Sequence, residues 1–375
     1  MAVYDLMLFM RQRHNIEPVV LVKSKNSALT QACREQGIQL ISGWTISGRI
    51  SGRSFLKRLG VAAKNLVKFI LLKTKIIPEL RRQHAVAPFD LVHSNTASEF
   101  TGWYIARCLG IPHVWHFRDH GFGIDYDLHF AFPDSIVRSA CAQTAAVVTV
   151  SRSIYELYVN KMKLCRPENT RVIHNGVKIS QDFIKSRHSD GIVHFCIVGK
   201  VADLKNQMMA VRACAELMRT TDKFTLHIIG NVTQEEYYDE LVRVIHAEGL
   251  DEHVKFWGWR DDVAELLKTM DVGLMLSKSE GFGRVTVECM ANYMPVIGVN
   301  AGGTTEIILD GETGYIIPLD DTDRLAQVML GFIEHPEQVQ IMGTKGREHA
   351  VQNFSLERHT DKIYSLYREI LGKSC

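Results

Sequence analysis

At 375 residues the chain is long for one hydrophobic core and comfortable for two domains. Its 46% hydrophobic and 23% charged residues describe a globular protein, and a formal net charge of +2 makes no case for nucleic acid. The cysteines (33, 108, 141, 165, 196, 214, 289 and 375) form no C-x-x-C pair and no metal-finger spacing, which excludes a disulfide scaffold or a zinc module and fits a reducing compartment.

Met1 opens on a predicted helix, Val3–Arg13. Pro18–Lys23 is a short β-branched strand, and Ser27–Gln36 has helical spacing. Asp90–His93 reads as a strand entering the Ser94-Asn95-Thr96 turn, with a helix through Cys108. Pro112–His116 and Ala145–Val150 are further strands. Lys178–Gly191 is polar and reads as a linker. The alternation then restarts: strand Val193–Val198, helix Leu204–Met218, strand Phe224–Ile229, helix Gln234–Glu248, strand Val254–Phe256, helix Asp262–Thr269 and strand Asp271–Leu276. A helix from Arg284, strands Val296–Val299 and Gly314–Ile317, and a helix from Asp323 complete it. Strands alternating with helices predict parallel sheets with crossover helices. The economical fold class is α/β, with two Rossmann-like doubly wound domains facing a cleft. The expected boundaries are 1–180 and 190–354, with a terminal helix at 355–375 returning toward the first domain.

The stretch Ser277 to Glu288 is the most informative. A strand runs into the turn Glu280-Gly281-Phe282-Gly283, and a helix begins at Arg284. Such a corner exposes backbone N–H groups at a helix N-terminus, suited to hydroxyls or anions. Glu280 in the turn and Glu288 one helical turn further on can approach one polyhydroxylated ligand from different depths. An ordinary strand–turn–helix corner with two solvated glutamates is the alternative. Gly199-Lys200 ends another strand and Lys205-Asn206 opens the next helix, two ammonium groups that favour a diphosphate. Solvated lysines are the plain reading there. In Asn300–Glu306, Thr304 and Thr305 are available as caps or phosphate donors. Trp259, in Phe256-Trp-Gly-Trp259, can border a nucleobase or simply sit at the rim.

In the first domain Val114–Asp119 brings His116, Arg118 and Asp119 to one strand end. The histidine can act as a general acid or hold a hydroxyl, and Arg118 can simply pair with Asp119. Asp125-Tyr-Asp127 invites a metal reading that no His/Cys cluster supports, so no metal site is assigned. From Arg49 to Arg82 ten Lys or Arg face one acid, Glu79. Within Phe55–Leu71 the apolar positions form a stripe, with Lys57, Arg58, Lys64 and Lys68 largely off it. The 53–82 region therefore suits anionic lipid headgroups, or packs its stripe on its own domain. No apolar run approaches the ~20 residues needed to span a bilayer, and no signal-peptide pattern is present. A cytoplasmic protein is expected, with attachment to the inner face of a membrane left open.

Together these residues resemble the retaining glycosyltransferases of family 4, with the GT-B fold. The resemblance rests on the E-x7-E motif Glu280-Gly-Phe-Gly-Arg-Val-Thr-Val-Glu288 followed by Pro295-Val-Ile-Gly. Asn175-Gly176-Val177, Gly199-Lys200 with Lys205-Asn206, Gly302-Gly303-Thr304 with Glu306, and Asp310-Gly311 with Thr313-Gly314 fit in order. It implies that Lys200 and Lys205 bind a donor diphosphate, Lys200 standing where the family usually has arginine. It also implies that the amides of Phe282, Gly283 and Arg284 hold sugar and phosphate oxygens, Glu280 binds sugar hydroxyls, and Glu288 the ribose. Gly199, Asn206, Trp259, Ser277, Gly281 and Thr304 complete the expected donor site. His116 with Glu280 are the expected catalytic pair, and Arg118 with Asp119 face the acceptor. The implied reaction is retaining transfer from a UDP- or GDP-type sugar to a saccharide or lipid-linked acceptor in surface polysaccharide or glycoconjugate synthesis, with no cofactor and no metal. A GT-B-like epimerase or phosphorylase, or a non-catalytic nucleotide-sugar-binding subunit, are the alternatives. One departure stands out. The family begins with an apolar strand and a glycine-rich loop, which here are not seen ahead of Val3–Arg13. The missing strand belongs centrally, between Pro18–Lys23 and Asp90–His93. Either the true start lies upstream, another segment fills the slot, or transfer activity has been lost.

Overall fold

Parallel strands returned by helices build both parts of the computed structural model, which describes residues 2–23, 26–51, 55–120, 128–180, 185 and 190–372. The fold is mixed α/β, and the chain divides into two compact units: Met1–Gly176 with Leu356–Cys375, and Val177–Ser355.

The first unit opens with helix α1 (Ala2–His14), strand β1 (Val19–Val22), α2 (Ala28–Glu35), β2 (Gln39–Ser42) and β3 (Arg49–Ser51). Helix α3 (Phe55–Leu71) passes through a π turn at Leu72–Ile76 into α4 (Ile77–Val86). Then come β4 (Val92–Asn95), α5 (Thr101–Leu109), β5 (His113–Phe117), β6 (Leu128–Phe130), α6 (Asp134–Ala142), β7 (Ala146–Thr149), α7 (Arg152–Tyr155) and β8 (Thr170–Val172). The C-terminal helix Leu356–Ile370 belongs to this unit and packs along α1. Strands β4-β5-β7-β8 form a parallel sheet in that order, and β5 and β7 are buried at every position, as expected of strands covered on both faces. Strand β4 lies two residues later than its apolar residues predict. Ser94 and Asn95, read as a turn, pair in register with Trp115 and His116 of β5.

Among the described residues strands β1 and β2 pair in parallel with each other and join no other strand, while β3 and β6 form a separate antiparallel pair. Among the described residues no strand lies between β1 and β4. A cavity of about 720 Å³ occupies that position, lined by Val19 and Leu21 of β1, Val92 and His93 of β4, Leu6 and Met10 of α1, and Tyr367 of the C-terminal helix. The expected central position thus holds no strand among the described residues. This leaves the facing edges of β1 and β4 without a ladder partner, a costly state for buried backbone groups unless water reaches them.

The second unit holds β9 (Val193–Val198), α8 (Gln207–Met218), β10 (Phe224–Ile229), α9 (Glu235–Ala247), β11 (Val254–Gly258), α10 (Val263–Leu267) and β12 (Val272–Met275). It continues through α11 (Arg284–Ala291), β13 (Val296–Val299), β14 (Gly314–Ile317), α12 (Thr322–Glu334) and α13 (Glu337–Phe354). Its six strands are all parallel in the order β11-β10-β9-β12-β13-β14. Phe195, Phe224, Leu226, Ile228, Leu274 and Phe332 belong to one continuous apolar core. Helix α8 begins three residues later than its spacing predicts. Asp203–Lys205 form a 3-10 turn, and Asn206 takes a left-handed conformation (φ 56°) that stops the helix from starting earlier.

The open slot has a measurable consequence. In hydrogen exchange followed by mass spectrometry, amides of Val19–Val22 are expected to exchange roughly tenfold or more faster than those of Val193–Val198, which pair on both sides. Equal protection would mean that the slot is filled in solution.

Candidate functional site

In the second unit the chain moves from β9 outward to β10 and β11, then returns beside β9 as β12 and continues to β13 and β14. The order reverses between β9 and β12, and the crevice beyond the carboxyl ends of such strands is the natural ligand position. The loops after β9, β12 and β13 meet there. Gly199 follows β9, and a Cβ on it would lie 3.2 Å from Lys205 Cε, so the lysine stem runs over this glycine. Lys205 Nζ donates to Glu280 Oε2 at 2.7 Å, with 23% and 21% of the two side chains exposed. Lys278 ties the same two loops a second time, its Nζ donating to Asp203 at 2.7 Å and its backbone N–H to Leu204 O at 2.9 Å.

The third loop stacks backbone on backbone. Gly303 N–H donates to Glu280 O at 2.8 Å, and a Cβ on Gly302 would lie 2.2 Å from that same oxygen. No residue larger than glycine fits without displacing Glu280. Gly283, left-handed at φ 90°, turns the chain into α11 and sets the first-turn N–H groups of Arg284 and its neighbours at a helix start. Glu288 lies one turn on, its Oε1 3.6 Å from Arg284 Nε. Thr304 is buried beside Gly283, its Oγ1 3.6 Å from the position a Cβ would take there.

The predicted donor residues fall differently within this crevice. Gly199, Lys205, Glu280, Gly281, Gly283, Arg284, Glu288 and Thr304 come together. Lys200 is exposed, and its carbonyl accepts from Gln207 Nε2 at 2.9 Å. Asn206 is buried and donates to Asp320 Oδ1 at 3.0 Å. The side chain of Phe282 is buried against Phe354. Ser277 is buried, with its hydroxyl 3.7 Å from Met275 Sδ. Trp259 is 72% exposed at the end of β11, two strands and roughly 10 Å from β9. Gly230, Thr286 and Asp320 were not foreseen. A Cβ on Gly230 would meet Gly199 O at 2.0 Å, and the buried Thr286 hydroxyl has no hydrogen-bond partner. A glycine directly after strand Phe224–Ile229 was the available signal for the first of these.

In the first unit His116 is fully buried at the end of β5, and its Nε2 has no hydrogen-bond partner. Its Nδ1 lies 3.3 Å from both His93 Nε2 and Arg118 Nη2. Arg118 also donates to the side-chain oxygens of Asn95 and Asn175. Asp119 is exposed. Burial first, and then the charge of Arg118, push the His116 pKa well down and that of His93 to about 3. Burial alone pushes His113 to about 3, where it sits between Thr144 Oγ1 at 3.1 Å and Ser94 Oγ at 2.8 Å. Among the described residues no three His, Cys, Asp or Glu side chains are grouped to hold a metal ion, and Asp125 and Asp127 lie outside them.

Glycine-stacked loops and a lysine–glutamate pair thus meet at the switch point of a doubly wound unit, with Glu288 one turn inside α11. Residues 13–181 match Glycosyltransferase Family 4, and residues 179–349 match Glycosyl transferases group 1. EpsD of Bacillus subtilis (strain 168), which carries a glycosyltransferase name, is 30% identical over 311 residues, 75% of this chain and 78% of that one. The lipopolysaccharide core biosynthesis mannosyltransferase LpcC of Rhizobium leguminosarum bv. viciae is 30% identical over 176 residues. That match covers 46% of this chain and spans half the length of the relative. Among solved structures, Anabaena Alr3699/HepE in complex with UDP superposes with a TM-score of 0.76. It covers 98% of this chain and 95% of that one at 20% identity, a likeness of fold. The chain belongs to the family 4 glycosyltransferases, of GT-B type.

The buried histidines make the first unit sensitive to acid. Their folded pKa values lie below the usual 6.5, so the unfolded chain binds more protons as pH falls from 6.5 toward about 3. Stability from neutral rings is full above 6.5 and is lost as pH falls through that window, by up to about 1.4 kcal/mol per pH unit per ring. The melting midpoint is expected to fall between about pH 7 and pH 5.5, and less steeply in His113→Gln. An unchanged slope in that variant would remove His113 as a contributor.

Proposed function

We propose that the chain transfers a sugar, with retention, from a nucleoside diphosphate sugar to a saccharide or lipid-linked acceptor in polysaccharide or glycoconjugate synthesis. The observation that carries this reading is the Lys205–Glu280 pair at the switch point, in the loop that leads into α11, where Glu288 lies one turn inside the helix. Lys200, Lys205, Arg284 and the N-terminus of α11 would supply positive charge to the diphosphate, so the scheme needs no metal. Glu280 would accept from sugar hydroxyls and Glu288 from the ribose. In front-face transfer the bond from the anomeric carbon to the diphosphate breaks, and the acceptor oxygen bonds to that carbon on the same face. Its proton passes to the departing phosphate oxygen. HepE was solved with UDP-glucose as well as UDP, which supports a uridine-type donor over a guanosine-type one. The unfilled strand position favours one second reading, a nucleotide-sugar-binding subunit without turnover, which measured transfer would remove.

Contact with an anionic membrane is the second element of the proposal. On α3 the side chains of Leu59, Leu66, Val67 and Ile70 are 51–61% exposed, beside the exposed Lys64 and the Lys73 and Lys75 that follow. An apolar stripe turned to solvent and flanked by lysines supports lodging at a headgroup layer. The side chains of Arg53, Lys57 and Arg58 lie outside the described residues. No described helix is long and apolar enough to cross a membrane.

Two measurements check these readings. Lys205→Ala and Glu288→Ala are each expected to weaken donor binding by about 1 kcal/mol or more in calorimetry with a panel of UDP- and GDP-sugars. Unchanged affinity in both would undo the donor-site assignment. For the membrane, Leu66→Ser with Ile70→Ser should abolish sedimentation with anionic vesicles, and neutralising Lys64 and Lys68 should weaken it. Equal sedimentation of all three proteins would return α3 to a surface helix.

A further inference from the structure

Two histidines in the first unit are clamped between a phenol and a guanidinium. Tyr367 Oη lies 2.5 Å from His93 Nδ1, His93 Nε2 lies 3.3 Å from His116 Nδ1, and Arg118 Nη2 lies 3.3 Å from the same nitrogen. Arginine has only donors, so His116 Nδ1 must be bare and must accept. A bare Nδ1 there requires the facing His93 Nε2 to carry a proton and donate it. His93 Nδ1 is then the acceptor, and the Tyr367 hydroxyl donates to it. The opposite assignment would set an N–H of His116 against the N–H of Arg118. Burial and the Arg118 charge keep both rings from taking a second proton. The one proton of His116 therefore sits on Nε2, which is buried and has no hydrogen-bond partner.

We propose that Tyr367 and His93 are positioning residues that, with Arg118, hold His116 as its neutral Nε2–H tautomer. His116 then meets its ligand as a hydrogen-bond donor to an oxygen, a sugar hydroxyl or a phosphate oxygen. The ligand half of this statement rests on the glycosyltransferase reading; the tautomer half stands on the hydrogen bonds alone. With its Nδ1 lone pair taken by two donors, His116 has no nitrogen free to accept a proton. It serves the reaction by polarising or orienting an oxygen and moves no proton. A buried N–H with nothing to donate to is an expensive group, and an oxygen ligand is what relieves it. Tyr367 comes from the C-terminal helix and His93 from β4, 274 residues apart, so this side of the clamp is built by the fold, while Arg118 lies two residues beyond His116.

The test reads the ring nitrogens directly. The full chain labelled with 15N-histidine is followed by two-bond 1H–15N correlation near neutral pH, with His93→Gln and His116→Gln for assignment. The expected pattern is a protonated Nε2 and a bare Nδ1 on both rings. Tyr367→Phe keeps the ring and its packing, and should melt within a few degrees of the parent. It is expected to turn the single-tautomer pattern of His93 into a mixture. A protonated Nδ1 on either ring overturns the proposal, as does an unchanged His93 pattern in a folded Tyr367→Phe. If that variant does not fold, the pattern of the parent chain decides alone. In a transfer assay His116→Ala should lose on the order of a hundredfold in rate, the usual scale for one oriented donor, and His116→Gln, which keeps an N–H, should recover most of it. Full activity in His116→Ala together with the expected tautomers would overturn the ligand role and leave the positioning intact. A parent chain that transfers no sugar would overturn the proposed function, with the tautomer pattern still deciding the positioning.

Discussion

The ion pair between Lys205 and Glu280 is the contact around which the crevice of the second unit is arranged. Its partners come from loops after neighbouring strands, β9 and β12, and meet where the strand order reverses. Two opposite charges about 4 Å apart attract by about 4 kcal/mol at an effective dielectric of 20, and partial desolvation cancels much of that. The pair therefore adds little net stability; its value is positional. It keeps an ammonium and a carboxylate ready in a crevice where either alone would be unfavourable. In the proposed reaction a diphosphate would offer the lysine a new partner, and sugar hydroxyls would offer the glutamate donors. The surrounding glycines follow from the same demand. A Cβ on Gly302 would sit 2.2 Å from the Glu280 carbonyl oxygen, and moving that backbone would carry the carboxylate away from Lys205.

Much of the donor unit was legible in the sequence because its strands are buried on both faces. Val193–Val198, Phe224–Ile229, Val296–Val299 and Gly314–Ile317 read as apolar runs and are strands over those same residues. Where polar residues enter a strand the reading slips, as at β4, whose Ser94 and Asn95 look like turn residues yet pair with β5. Strand β2 was not visible at all, because only Ile41 of Gln39–Ser42 is buried and the run carries no pattern. The start of α8 was misplaced for a different reason. Helical spacing continues backward through Leu204, but a left-handed Asn206 interrupts it, and spacing does not report φ.

The site shows the same division. Glu280 lies in a predicted strand-to-helix turn, Lys205 at a predicted helix start and Glu288 one turn inside a helix, so the strand-end topology brings them to one crevice. The environment of His116 was not legible. His93 was read as the last residue of a strand, and Tyr367 as an unremarked position in the terminal helix; their link to His116 exists only once the fold brings chain segments 274 residues apart into contact. Likewise, the guanidinium of Arg118 reaches Asn95 and Asn175 on other segments, contacts that its position beside Asp119 does not announce.

The first unit also has to hold together around an open slot, and the C-terminal helix supplies what the sheet does not. Helix α1 has no central strand to lie against among the described residues. Its Leu6 and Met10 cluster with Val114 of β5 and Val148 of β7 and with Ile363, Leu366 and Tyr367 of the C-terminal helix. Arg13 makes a bidentate pair with Asp361 at 2.9 and 3.2 Å, and His14 stacks on Tyr364 at 3.9 Å between ring centroids. These contacts fix the helix along its length as well as its distance from α1. Asp361 and Tyr364 set the register, and Tyr367, one turn beyond Tyr364, is thereby delivered to His93. A slide of the helix by one residue would rotate the phenol by about 100° and remove its hydroxyl from the histidine. The clamp that steadies α1 is thus also the device that brings the Tyr367 hydroxyl to His93, whose other ring nitrogen faces His116.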